Sequence, residues 1–167
     1  MSNKVKYIVL LFFLSSCGLF KVQETGNYSK SVDVQNDLVR MNLEPWSTIK
    51  NEGSDFSLFN NLTKSYFLFN SACRKNELSN LKVLTSSMFA GIDDLNFIEK
   101  TTTPFQGREA VLVLASGKVD GVTRFFRVIT TQKNYCIYDF VLIAINQTTL
   151  EKDTADFNSF TQHIILK

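Results

Sequence analysis

REAVLVLASGKVDGVTRFFRVITTQKNYCIYDFVLIAI, residues 108–145, decides the fold. Arg108 to Val119 and Val122 to Gln132 are rich in β-branched and aromatic residues, and Asp120-Gly121 separates them. Asp-Gly between two such runs is a strong hairpin signal, because a type I′ turn needs φ > 0 at both central residues. A third run, Tyr135 to Ile145, follows a loop at Lys133-Asn134 and is apolar on both parities except at Asp139. That pattern suits a strand covered on both faces.

Upstream, Asp55 to Asn60 alternates and Asn61-Leu62 supplies a turn. Ser65 to Cys73 then carries aromatic and aliphatic residues on both parities, so a hairpin is expected. Over residues 79–90 the period changes to helical. Leu81, Leu84, Met88 and Ile92 share one face, with Ser79 as the N-cap and Gly91 at the C-cap. Phe97 to Phe105 reads as a strand ending near Pro104 and Gly107. After the three-strand block, Thr148 and Glu151 have the spacing of a capping box. Leu150, Phe157, Phe160 and Ile164 give that closing helix one apolar stripe. The order β-β-α-β-β-β-β-α predicts a single α+β domain, an antiparallel sheet with helices packed on it, over residues 38–167.

The chain starts differently. Lys4 and Lys6 precede an apolar run from Tyr7 that closes on Leu14-Ser15-Ser16-Cys17. Even counted on through Ser15, Ser16, Cys17 and Gly18 to Phe20 the run is about 14 residues, short of the roughly 20 that cross a bilayer, so an export signal fits better than a permanent span. Leu14-Ser15-Ser16-Cys17 resembles the lipobox of bacterial lipoproteins. The resemblance implies cleavage after residue 16 and acylation of Cys17, against an ordinary secretory signal in which Cys17 is incidental. Two or more acyl chains hold a protein firmly where one does not. Gly18 in place of Asp implies, by the sorting rule of enteric bacteria, the outer membrane facing the periplasm. Residues 17–37 then form a lipidated cysteine and flexible tether, polar and without an apolar period. Lys+Arg number 18 and Asp+Glu 16, and loss of Lys4 and Lys6 balances them. A neutral mature chain gives no electrostatic case for nucleic acid.

With Cys17 acylated, Cys73 and Cys136 remain. In an oxidising compartment such a pair forms a disulfide, and the alternative is two separate buried thiols. One histidine, His163, and no close Cys or His pair give no zinc pattern and no call for a metal. Asn70-Ser71-Ala72-Cys73, Gly107-Arg108-Glu109-Ala110, Gly117-Lys118-Val119-Asp120-Gly121 and Cys136-Ile137-Tyr138-Asp139-Phe140 resemble, in that order, uncharacterised envelope lipoproteins of myxobacteria-like bacteria. The order of elements resembles the PsbP-like α+β fold. These resemblances imply an accessory, non-enzymatic role in the envelope.

Candidate chemistry is sparse. A nucleophilic triad would need His163, and there is no Gly-x-Ser-x-Gly elbow. Asp139 within an apolar strand is either a raised-pKa acid or ligand group, or a structural carboxylate. In the second case it accepts from turn amides or pairs with Arg108 or Arg124, since an unpaired buried charge is costly. Thr123 to Arg127 mixes bases and aromatics as RNA-binding sheets do, but lacks their glycine-aromatic motif. Arginines facing solvent and phenylalanines facing the core account for it. No catalytic residue and no cofactor is expected. The function that follows is a lipid-anchored envelope module with a protein partner. Two alternatives stand beside it: a carrier of an apolar ligand in a Phe-lined cavity, and a secreted soluble domain with weak hydrolase activity.

Overall fold

The structure, a computed structural model, describes residues 43–73 and 80–166. Its seven strands are β1 (Trp46–Thr48), β2 (Phe56–Asn60), β3 (Tyr66–Cys73), β4 (Asp93–Phe105), β5 (Arg108–Val119), β6 (Val122–Lys133) and β7 (Cys136–Ala144). Helix α1 (Leu81–Ser87) lies between β3 and β4, and α2 (Gln147–His163) follows β7. All strand pairs are antiparallel, in one sheet of order β1-β2-β3-β7-β6-β5-β4. The fold is α+β, with the expected order of elements and one short strand, β1, added at the edge.

Turn chemistry fixes the meander from β4 to β7. Asp120 (φ 52°) and Gly121 (φ 76°) close β5 onto β6, the pair of positive φ angles that a type I′ turn requires. Gln106 (φ 48°) and Gly107 (φ 74°) do the same between β4 and β5. Between β6 and β7 the turn is Asn134-Tyr135 (φ 50° and 62°), one residue beyond the expected loop.

Strand alternation gives the sheet two apolar faces, each under one helix. Phe67 and Phe69 of β3, with Tyr138, Phe140 and Leu142 of β7, point to α2 and meet Leu150, Phe157, Phe160 and Ile164. This is the apolar stripe read from the sequence. The rings pack on one another: Phe67 lies 5.4 Å from Phe160 and 5.9 Å from Phe157, and Phe140 lies 5.1 Å from Phe69 and 5.3 Å from Phe105. The opposite face is Val111, Val113, Ala115, Phe126, Val128 and Val141, covered by Phe89 with Leu81, Met88 and Ile92. Asp139 belongs to this second face.

Three local expectations are corrected. Ser79 lies outside the described residues, and α1 is capped by Asn80, whose side chain accepts from the amides of Lys82 and Val83. The helix runs from 81 to 87 rather than to 90, and Gly91 (φ 85°) follows a turn beyond its end. The capping box at Thr148 and Glu151 is displaced by Asn146, whose Oδ1 accepts from Thr149 N at 2.8 Å. Asparagine ranks above threonine at an N-cap, which favours the earlier start. On β6, Phe125 and Phe126 are adjacent and so face opposite sides. Arg127 shares the α2 side with Phe125, its guanidinium 6.0 Å from the Phe157 ring. The division into outward arginines and inward phenylalanines does not hold.

Candidate functional site

The side chains nominated for chemistry occupy separate places. Cys73 and Cys136 are the last pair of the β3–β7 ladder, with their sulfurs bonded at 2.09 Å. His163 is exposed near the end of α2, where Nδ1 donates to Ser159 O at 2.8 Å. Asp139 is directly opposite Thr130 on β6, whose Oγ1 donates to Asp139 Oδ1 at 2.8 Å. Thr130 Oγ1 also lies 3.6 Å from Met88 Sδ. Neither arginine expected to pair with Asp139 does so: Arg108 donates to Gln106 O and Arg124 to Thr123 O. Arg108 and Arg124 lie near opposite ends of their strands, so neither can reach the middle of β7. Part of Asp139 stays accessible, yet loss of hydration around its carboxyl raises its pKa to about 6, against the lowering pull of the Thr130 hydrogen bond. Cys17 lies outside the described residues.

Two carboxylates on α2, Asp153 buried and Asp156 half-buried, are not singled out by the sequence. Asp153, 2% exposed, accepts from Thr63 Oγ1 at 2.6 Å and from Asn60 Nδ2 at 3.4 Å. Asn60 in turn accepts from the amides of Leu62 and Thr63 through Oδ1. One turn along, Asp156 Oδ2 accepts from Trp46 Nε1 at 2.8 Å. These bonds tie the β1–β2–β3 edge to the helix. The available signal was the pair Asp153 and Asp156 on the same helix face as Phe157 and Phe160. At the other end of α2, Gln106 Nε2 donates to Thr161 O and Ile164 O, and Lys133 Nζ to Leu166 O. Carbonyls left over at a helix end thereby gain partners.

A cleft of about 550 Å³ opens at the end of the sheet that carries the disulfide. Leu81, Arg108, Glu109, Gln132, Lys133, Asn134 and Tyr135 line it. Its wall is rich in side-chain donors: a guanidinium, an ammonium and two amides, beside one carboxylate and a half-exposed phenol ring. A second hollow of about 580 Å³ lies along residues 48–57 at the β1–β2 edge. Among the described residues, no group of three or more His, Cys, Asp or Glu could hold a metal ion. No described helix is long and apolar enough to cross a membrane.

With sheet order and both helices in place, comparison with solved structures becomes informative. The cyanobacterial PsbP protein (CyanoP) of Synechocystis superposes with a TM-score of 0.55, covering 74% of this chain and 83% of its own, at 9% identity. The fold is PsbP-like. A Pseudomonas aeruginosa protein of unknown function, described as a putative regulator, superposes with a TM-score of 0.52 over 73% of this chain and 97% of its own, at 7% identity. At such identities the likeness concerns the fold alone. No family model matches the chain, and no curated protein does. Within the PsbP-like frame, the α2 face of the sheet is filled by phenylalanines packed edge-to-face and tilted against one another. An apolar ligand there would have to separate rings now in contact.

Proposed function

We propose that this chain is a non-catalytic accessory module of the cell envelope, held to the membrane by lipid on Cys17. Its α+β domain binds another envelope component through the cleft around Arg108, Lys133 and Tyr135. One observation carries the non-catalytic reading: the groups offered for chemistry are taken up in structural bonds. The imidazole of His163 holds a helix carbonyl, Asp139 holds a cross-strand hydroxyl, and the two cysteines hold each other. A disulfide also agrees with an exported chain, because such bonds persist in oxidising compartments. A PsbP-like fold is compatible with the accessory role, Leu14-Ser15-Ser16-Cys17 supports the anchor, and Gly18 in place of Asp supports the outer-membrane placement.

Two experiments test the two halves. Metabolic labelling with radioactive palmitate should label the full chain and fail on Cys17→Ala. An unlabelled parent chain, or a Cys17→Ala chain that still takes up the label, would remove the anchor. For the cleft, a photocrosslinking amino acid at Tyr135 in the cell-expressed full chain should yield an adduct with an envelope protein. Charge reversal at Arg108 and Lys133 should abolish that adduct. Equal crosslinking from Tyr135 and from Glu52, beside the other hollow, would remove the cleft as the binding surface.

A further inference from the structure

The end of the sheet opposite the cleft carries a different surface. Register places several loops together there. Tyr66 at the start of β3 pairs with Ile143 near the end of β7, Ile143 with Phe126, and Phe126 with Ala115. The β2–β3 turn, the exit from β7 and the tip of the β5–β6 hairpin therefore share one end. Leu43 shares it too, because it precedes Trp46, which pairs with Asn60 just before that turn. Beyond Phe125 the hairpin runs three more pairs, Arg124 with Gly117, Thr123 with Lys118 and Val122 with Val119. At about 3.3 Å per residue it stands roughly 10 Å past the end of β7.

Apolar side chains lie open on these projections. Leu62 is 74% exposed, Val122 49%, Ile145 43%, Val119 40% and Tyr66 39%. Half of the ten large hydrophobic side chains that are exposed among the described residues sit at this one end. Charge here is mixed. Lys64, Lys118 and Arg124 stand against Asp93, Asp94 and Asp120, and Lys118 is paired with Asp94 at 2.7 Å. Separated apolar tips with a phenol among them suit the boundary between lipid headgroups and acyl chains. There, side chains with an apolar body and a polar tip are favoured.

We infer that the Leu43 end of the domain is a membrane-docking surface, in which Leu62 and the Val119–Val122 hairpin tip enter the headgroup region of the bilayer. The occupant is named by where the preceding chain arrives. The chain leading from Cys17 arrives at Leu43, on the same end as the exposed tips, so this is the end that an acyl anchor tethers to its own membrane. The polar cleft then faces away from the lipid, where a partner can reach it. The identity of that membrane rests on the anchored reading of Cys17. Docking is governed by apolar contact, so it should depend weakly on salt, unlike binding through a basic patch.

The test uses the full chain purified from membranes and returned to phosphatidylethanolamine–phosphatidylglycerol vesicles. A single cysteine for an environment-sensitive fluorophore is placed at Leu62, at Val122 or, at the far end, at Tyr135. Docking predicts blue-shifted, brighter emission from positions 62 and 122 and water-like emission from 135. It also predicts that L62D combined with V122D weakens vesicle binding of the unacylated Cys17→Ala chain by roughly tenfold or more, the factor expected for losing one buried aliphatic side chain. If the chain carries acyl mass and floats with vesicles while all three positions report water, the docking surface is refuted and the anchor stands. If the chain carries no acyl mass, the same labelled proteins are mixed with added vesicles. Blue shifts at 62 and 122 then support docking without the anchor, and water-like emission at both refutes docking as well.

Discussion

Asp153→Ala should be among the most damaging single changes in the domain. The carboxylate is almost wholly enclosed and takes one short hydrogen bond, 2.6 Å from Thr63 Oγ1, and one long one, 3.4 Å from Asn60 Nδ2. A hydrogen bond to a charged acceptor contributes about 1.5–3 kcal/mol, and a buried donor left without a partner costs about 1–3 kcal/mol. The short bond should dominate. Part of the loss is recovered because an alanine needs no desolvation, so a net cost of about 3 kcal/mol is reasonable. Native domains have about 5–15 kcal/mol in total. Asp153→Asn keeps an acceptor for Thr63 and should cost about half as much, while Thr63→Val should recover much of the Asp153→Ala effect in a double-mutant cycle. Urea unfolding of the disulfide-intact chain, followed by circular dichroism, measures all three. An Asp153→Ala chain within about 0.5 kcal/mol of the parent, the range of ordinary surface substitutions, would refute the idea that this carboxylate anchors the edge of the sheet.

Other outcomes follow from other parts of the molecule. Asp139 has a folded pKa raised to about 6 from 3.8, so the folded state holds its proton more tightly than the unfolded chain. Its contribution is full below the unfolded value and fades as pH rises through 6. Asp139→Asn should therefore flatten the stability profile between pH 4 and 6 and exceed the parent above pH 7, by up to roughly 3 kcal/mol. A profile unchanged by the substitution would contradict this. Reducing the Cys73–Cys136 bridge, which spans a sequence separation of 63, should lower stability by up to about 4 kcal/mol on loop-entropy grounds and raise the intact mass by two hydrogens. Two free thiols in the unreduced, denatured protein would show the bond absent. Gly117→Ala should destabilise by about 1–3 kcal/mol, because a Cβ there would run into Ile92 Cγ2 and lie 3.1 Å from Asp93 O. A neutral result in thermal unfolding would mean that the Ile92 segment yields easily.

The parts that could be read in the sequence are those where one local rule dominates. Asp120-Gly121 closes its hairpin because few dipeptides accept two positive φ values, and the stripe from Leu150 to Ile164 is buried as its spacing requires. Elements settled by competition were harder to read. Asn146 and Asn80 displaced nearby cap candidates, and β1, three residues long, is too short for alternation to register. Its place is set by Trp46, which lies 5.4 Å from Phe160 and donates to Asp156, 110 positions away. Asp139 stands out in the sequence because it breaks an apolar run, but its partner is Thr130, on the neighbouring strand. Cross-strand partners depend on register, and the β6–β7 turn at Asn134-Tyr135 falls one residue beyond the one the sequence suggests, which changes every pair along the ladder. The Asn60–Thr63–Asp153 cluster joins residues about 90 positions apart, and nothing local marks it. The cleft is likewise assembled from the start of α1, the start of β5 and the β6–β7 turn.

The sheet order has a temporal meaning as well. Strands β4 to β7 are sequence neighbours joined by tight turns, whereas β3 must wait for β7, its only neighbour on that side, at the far end of the chain. Contacts between distant residues carry a closure cost before they stabilise anything, so the late meander should form first and receive the β1–β3 ribbon afterwards. A chain crossing a membrane from its N-terminus would then present its first strands well before their template exists. Pulse-labelled hydrogen exchange during refolding should protect amides of β5 and β6 ahead of those of β2. Simultaneous protection would remove that order. If it holds, the first half of this domain is the part most in need of an escort while it waits for the second.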